Sequence, residues 1–263
     1  NESHFKDRFK QKILSQGRKK AIKWLTTPHP AVGLRPLNHA CKKNLSEATI
    51  KNLLDQSCNL GIIDKVLGIL PSEKDGEDQN DEYTYEEEHA SALMIAIQNK
   101  LNPEALKALL LHYEKRCAPN TLKAVLEARD NNGMNCIFRA LAQYEDIDWS
   151  AFHIVWKLSL RFGDVKSMVK PDVFGWTWLH YAAQHSRISP KLFAVICRLY
   201  FEHAPNLFLA RGKSRFRTCL HCAASKNLNP ECFEILLRYC KAACNNDEEE
   251  LKSFLKAKDN KNR

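Results

Sequence analysis

The sequence predicts an all-α protein made of repeated helix pairs, a solenoid of about five helix-turn-helix units with extra short connector helices. Three observations predict this fold: one helix-start phrase recurs along the chain, a Leu/Ala phrase stands shortly before each copy, and no stretch has the two-residue period of a strand. One helix pair cannot bury its apolar face alone, so stacked copies must form the core.

The helix-start phrase is clearest at 227–239, NLNPECFEILLRY. Asn229 suits the cap of a helix, and Pro230 suits the first turn because its missing N–H would have no intrahelical partner there. Related phrases are KLNPEALKALL at 100–110, RISPKLFAVIC at 187–197, NLSEATIKNLL at 44–54 and DIDWSAFHIVW at 146–156. Five copies predict five second helices.

The Leu/Ala phrase is strongest at 177–183, TWLHYAA, and at 218–224, TCLHCAA. Aligning the copies gives an aliphatic column and, three residues later, an alanine column. The aliphatic column is Leu37, Leu93, Ile137, Leu179 and Leu220, and the alanine column is Ala40, Ala96, Ala140, Ala182 and Ala223. A small residue beside a large one lets a neighbouring helix approach closely, so each phrase predicts the first helix of a pair.

The connectors between pairs carry their own signals. ARDNNG at 128–133 and KPDVFG at 170–175 have the composition of turns. NTLKAVLEA and EEELKSFLKAK are predicted to be the extra short helices.

The pattern Asp-x-x-Gly-x-Thr-x-Leu-His-x-Ala-Ala, complete from Asp172 to Ala183, resembles the ankyrin repeat. The resemblance covers 31–263, with repeats near 31–71, 88–129, 130–171, 172–212 and 213–258 and the opening of a further repeat at 259–263. These repeats are longer than the family's usual ones because of the connector helices. The resemblance implies a non-catalytic protein-binding scaffold in which His180 and His221 serve the backbone of the adjoining turn.

Two segments lie outside the repeat pattern. Residues 1–30 are predicted to be a basic capping helix, and the alternative for 5–25 is contact with an anionic membrane or a partner's groove. Residues 72–88 carry a charge of −8 and no apolar period, which predicts a flexible acidic insertion.

Composition narrows the function classes. The net charge is +9, no apolar run is long enough to span a bilayer, and no signal-peptide pattern opens the chain. Ten cysteines within helix-like stripes predict reduced thiols and a cytoplasmic or nuclear protein.

CLHC at 219–222 has the spacing of a zinc knuckle, but both cysteines fall in repeat columns, so we expect no metal. No phosphate loop or catalytic motif occurs, so we expect no catalytic residue, cofactor or small-molecule substrate.

The resemblance implies a concave face where residues before and after each first helix bind a partner protein. The candidate partner-binding residues are Phe174, Trp176, His185, Arg215, Arg217 and Lys226. Aromatic and arginine side chains dominate interface energies, and the basic charge favours an acidic or amphipathic partner. For Phe174 and Trp176 the alternative to partner binding is packing against the neighbouring repeat.

Two alternative functions remain: RNA or DNA binding through ARGKSRFR at 210–217, and the regulatory or targeting region of a larger protein such as a bacterial effector, a channel or a ligase adaptor.

Overall fold

The structure is a computed structural model that describes residues 17–28, 34–67, 91–143, 149–213, 215–226 and 228–261. Within these ranges every regular element is helical, which confirms the all-α class. The acidic insertion 72–88 and residues 1–16 of the predicted capping helix lie outside the described residues. None of the helices in the described ranges is long and apolar enough to cross a membrane.

The chain folds into two compact units. The first comprises Asn1–Asn131 and Asp148–Gly163, and the second comprises Asn132–Ile147 and Asp164–Arg263. The helices of the first unit are α1 Gly17–Thr26, α2 Pro36–Lys42, α3 Glu47–Asn59, α4 Ile63–Leu67, α5 Ala92–Gln98, α6 Pro103–Arg116, α7 Pro119–Glu127 and α9 Trp149–Phe162. Those of the second are α8 Cys136–Leu141, α10 Val165–Met168, α11 Trp178–Ala182, α12 Pro190–His203, a 3-10 turn Pro205–Leu207, α13 Cys219–Ser225, α14 Pro230–Ala243 and α15 Glu248–Leu255.

Four of the five predicted helix starts lie within the described residues, whereas residues 146–148, which open the phrase DIDWSAFHIVW, lie outside them. The side-chain oxygen of Asn102 accepts from the Glu104 N–H at 3.0 Å, that of Ser189 from the Leu192 N–H at 3.3 Å, and that of Asn229 from a backbone N–H of α14. Each of these helices has proline in its first turn. These caps satisfy amide groups that a helix leaves unpaired at its start. Ser46 precedes α3 without a side-chain cap of this kind.

Both columns of the Leu/Ala phrase lie on the first helices and face the core. The alanine column is buried throughout, and the aliphatic column is fully buried from Leu37 to Leu179, with Leu220 half-exposed. Burying one such aliphatic side chain contributes about 2 kcal/mol. The core is therefore built from residues that recur at the repeat spacing.

Helices of the same type pack against each other within each unit. In the first unit α2 packs on α5, and α3 and α9 both pack on α6. In the second unit α11 lies between α8 and α13, while α12 packs on α14. The two predicted connector helices are confirmed as α7 and α15. The division into two units separates α8 from α9, which the predicted repeat 130–171 contains together.

Candidate functional site

Main-chain hydrogen bonds join successive turns in the second unit. The Val173 N–H donates to the Asn132 carbonyl at 3.0 Å, and the Lys213 N–H donates to the Phe174 carbonyl at 2.7 Å. Further along, the Asn260 N–H donates to the carbonyl of Arg215 at 3.1 Å. We call these three bonds the turn ladder, and they place the tips of consecutive turns side by side.

The central turn is organised by the Asp172 carboxylate. One oxygen accepts from the Phe174 and Trp176 N–H groups at 2.9 and 2.8 Å, and the other accepts from the Tyr181 hydroxyl at 2.8 Å. Gly175 has a φ of +76° and lies close to the next turn, where an added Cβ would meet the Lys213 backbone nitrogen at 3.2 Å. Only glycine fits this left-handed position without strain, so the motif fixes the turn.

The histidine of the motif links one turn to the next. The Thr177 N–H donates to Nδ1 of His180 at 3.1 Å, so Nε2 carries the proton and donates to the Arg217 carbonyl at 3.1 Å. Burial lowers the pKa of His180 from 6.5 to about 4, which keeps the ring neutral. The predicted structural role of His180 is confirmed. The His221 ring contacts Thr218 in the same way.

The 212–217 turn projects an aromatic ring and cations outward. Phe216 has a φ of +51° and its side chain is 52% exposed. The Arg211 guanidinium lies 5.7 Å from the centre of this ring, and its Nε donates to the Phe216 carbonyl at 3.2 Å. Lys213 and Arg215 are also exposed in this turn.

Three of the predicted partner-binding residues lie at the surface. Phe174 is 47% exposed at the tip of the central turn, and Arg215 is exposed at the tip of the next. Their turns are adjacent in the turn ladder. Lys226 is exposed where α13 ends. We define the turn surface by five exposed residues: Phe174, Arg211, Lys213, Arg215 and Phe216.

The other three predicted residues are placed differently. Trp176 is half-buried and stacks on His180 with ring centroids 5.7 Å apart, and its indole covers Gly212. Trp176 therefore packs against the neighbouring turn, which was the alternative interpretation of this residue.

Arg217 has a side chain that is 16% exposed and forms an ion pair with the buried Asp259 at 3.6 Å. His185 is buried, and its Nε2 lies 2.6 Å from the Leu141 carbonyl. Both side chains are committed to internal contacts, so we leave them out of the surface.

Sequence reasoning grouped Arg211, Lys213 and Phe216 within ARGKSRFR only as a nucleic-acid alternative and did not include them among the partner-binding residues. One signal was available for Phe216: four residues before the aliphatic column stand Gly133, Gly175 and Phe216. An aromatic residue at a position where the other two turns have glycine departs from the repeat pattern, and packing alone does not require that departure.

Eight of the ten cysteines are buried, and Cys58 and Cys117 are partly exposed. All ten are free, and burial raises the pKa of the Cys41 and Cys222 thiols to about 12. Across the described ranges no group of three His, Cys, Asp or Glu side chains is arranged to hold a metal ion. The CLHC cysteines, Cys219 and Cys222, are both buried in the helix core.

The fold and the turn geometry define a helical protein with repeated, turn-linked helix pairs. Residues 216–250 match the family model described as ankyrin repeat, which confirms the resemblance to that family in this part of the chain. Ankyrin repeats are generally non-catalytic protein-interaction domains. No curated protein matches the chain.

Proposed function

We propose that the chain is a protein-recognition module that binds an acidic or amphipathic partner protein through the turn surface, with Lys226 at its margin. The observation that carries this proposal is the side-by-side placement of an exposed aromatic and an exposed arginine, Phe174 and Arg215, on adjacent turns. Residues of these two types supply most of the binding energy at protein interfaces.

Rigidity of the turns supports binding here. The Asp172 carboxylate and the turn ladder hold the main chain beneath Phe174, so little conformational entropy remains to be lost when a partner binds. The exposed cations Lys213 and Arg215 favour a partner with carboxylates and speed its association.

The wider architecture of the proposal is a solenoid of about five repeats with the boundaries given above. Its support is the recurrence of buried first-helix columns and of capped second helices in both units. Ten free cysteines fit a cytoplasmic or nuclear protein.

Nucleic acid is the second candidate partner, favoured by the cations of the turn surface. A surface that contacts only phosphates loses affinity steeply as salt rises, because binding releases counterions. Titration of the protein with single- and double-stranded RNA and DNA at several salt concentrations distinguishes this function. Affinity that persists at physiological salt would favour nucleic acid over protein.

The test is affinity capture from cells with the wild type and with the double variant Phe174→Ala/Arg215→Glu, followed by direct affinity measurement with each captured protein. The matched control is Leu111→Ala/Lys107→Glu, which removes an exposed apolar side chain and an exposed cation from α6. Circular dichroism checks that all three proteins are equally helical.

We expect the double variant to bind a captured partner at least about tenfold more weakly, since loss of one or more interface hot spots costs over about 1.4 kcal/mol. The control should retain wild-type affinity. Equal affinity of the double variant and the wild type for every captured protein would refute the turn surface as the recognition site.

A further inference from the structure

The backbone conformation of Phe216 is unusual for its residue type. Equivalent positions in the two preceding turns are Gly133 and Gly175, with φ values of +72° and +76°. Phe216 adopts the same left-handed conformation at +51°, which brings its Cβ into conflict with the backbone. A strained residue of this kind persists when the surrounding structure or a function requires it.

Core packing does not account for the phenylalanine. Its ring is 52% exposed, the largest exposed fraction among the big apolar side chains of the described residues. A glycine would adopt the left-handed backbone conformation without strain, as it does in the other two turns, and would remove an apolar ring from water.

The structure around Phe216 fixes both its ring and a neighbouring cation. The Phe216 N–H donates to the Gly212 carbonyl at 2.9 Å, which closes the turn. Arg211 donates to the Phe216 carbonyl through Nε and to the Lys258 carbonyl through a terminal guanidinium nitrogen, while its charge lies over the ring. The ring and the cation therefore form a preformed pair.

We propose that Phe216 and Arg211 form the central anchor of the turn surface, and that the anchor takes an acidic peptide segment carrying a large apolar side chain. The apolar side chain packs on the Phe216 ring, and the flanking carboxylates pair with Arg211 and Arg215. This inference rests on the proposed function and names the chemistry of its partner. Preorganised aromatic and arginine groups lose little entropy on binding, which suits them to dominate the interface.

Charge favours this occupant over others. Arg211, Lys213 and Arg215 are exposed within one turn, whereas the carboxylate of Asp259 is buried and pairs with Arg217. An incoming carboxylate is therefore drawn to the exposed cations, and an apolar side chain beside it can pack on the Phe216 ring, which inorganic phosphate cannot do.

The experiment selects binders from a displayed library of random peptides, each about 12 residues long, on the 263-residue wild-type protein, then measures the affinity of synthetic copies. Four variants are compared with the wild type: Phe216→Gly, Phe216→Tyr, Lys100→Gly and Phe174→Ala/Arg215→Glu. Lys100 also has a left-handed backbone, with φ of +50°, on an exposed turn of the first unit. Its glycine variant is thus matched for relief of strain at a residue that is not part of the turn surface.

We expect selected peptides to combine Asp or Glu with a large apolar residue. Phe216→Gly should raise the Tm by about 2–4 °C, as Lys100→Gly should, because each relieves about 1 kcal/mol of backbone strain. Phe216→Gly should weaken peptide binding at least about tenfold, whereas Phe216→Tyr and Lys100→Gly should bind as the wild type does.

Each of the following outcomes would overturn the anchor. A lower Tm for Phe216→Gly would show that the ring stabilises the fold, and unchanged peptide affinity would show that the ring is not the contact. Selected peptides without acidic residues would refute the partner chemistry. If binding is lost in Phe174→Ala/Arg215→Glu but kept in Phe216→Gly, the anchor fails and the proposed function stands. If no peptide is selected, the anchor fails, and the captured proteins alone decide the proposed function; if all variants bind the selected peptides equally, the anchor and the turn surface both fail.

Discussion

Protonation of His180 should destabilise the folded protein in mild acid. Its Nδ1 accepts from Thr177 and its Nε2–H donates to Arg217, so the neutral ring already uses both nitrogens. An added proton on Nδ1 would face the Thr177 N–H in a buried site. Burial, which penalises the charged ring, lowers the pKa of His180 to about 4 in the folded state, while the unfolded chain has the ordinary value of 6.5.

The sign and the size of the effect follow from these two pKa values. Between pH 6.5 and about 4 the unfolded state binds more protons than the folded state, so stability decreases as the pH falls. The separation of these two pKa values corresponds to about 3 kcal/mol at most, and about 2 kcal/mol of it is lost between pH 7 and pH 4.5. The stabilisation is fully present above pH 6.5.

The assay is urea unfolding followed by circular dichroism at several pH values for wild type, His180→Gln and His221→Gln. Glutamine does not titrate, so the stability of the wild type relative to His180→Gln should fall by about 2 kcal/mol from pH 7 to pH 4.5. Comparing the two proteins at each pH cancels the carboxylates that they share. The His221→Gln protein should retain the His180-dependent loss. A constant difference between wild type and His180→Gln across this range would refute the reasoning.

Three further predictions concern the turns and the thiols. Gly175→Ala should lower the free energy of unfolding by more than the roughly 1 kcal/mol expected for Gly61→Ala, since both have positive φ but only Gly175 lies against a neighbouring turn; urea unfolding measures both. Asp172→Ala should cost about 2–4 kcal/mol in the same assay, because two amides and a hydroxyl lose their acceptor. Cys41 and Cys222 should resist iodoacetamide until the protein unfolds, because burial raises the pKa of each thiol to about 12; mass spectrometry locates the label.

Each of these has a clear contrary result. Equal losses in the two glycine variants would mean that the close approach of the turns contributes nothing. A neutral Asp172→Ala would show that water replaces the carboxylate. Rapid labelling of the native thiols would show that the helix pairs open readily.

The repeated core was predictable because its signals are local. Leu179 and Ala182 stand three residues apart on one helix, and Ser189 directly precedes α12, which it caps. Both patterns are therefore visible in a short stretch of sequence. The glycine turns were visible for the same reason. The element types and most helix starts followed from these windows.

The candidate site was only partly predictable because exposure depends on distant partners. Arg217 pairs with Asp259, 42 positions away, and His185 bonds to Leu141, 44 positions away. No local pattern distinguishes these side chains from the exposed Arg215. Trp176 was placed at the surface by its position in the turn, whereas Gly212 in the next turn leaves the space that its ring fills.

The turn ladder has a consequence for how binding specificity can change. Its bonds join amide and carbonyl groups, such as those of Lys213 and Phe174, and use no side-chain atom. Replacing the side chains at the tips therefore leaves the bonds between turns intact. The surface can acquire a new partner through a few substitutions at its tips, while the helices beneath keep their register and the chain keeps its fold.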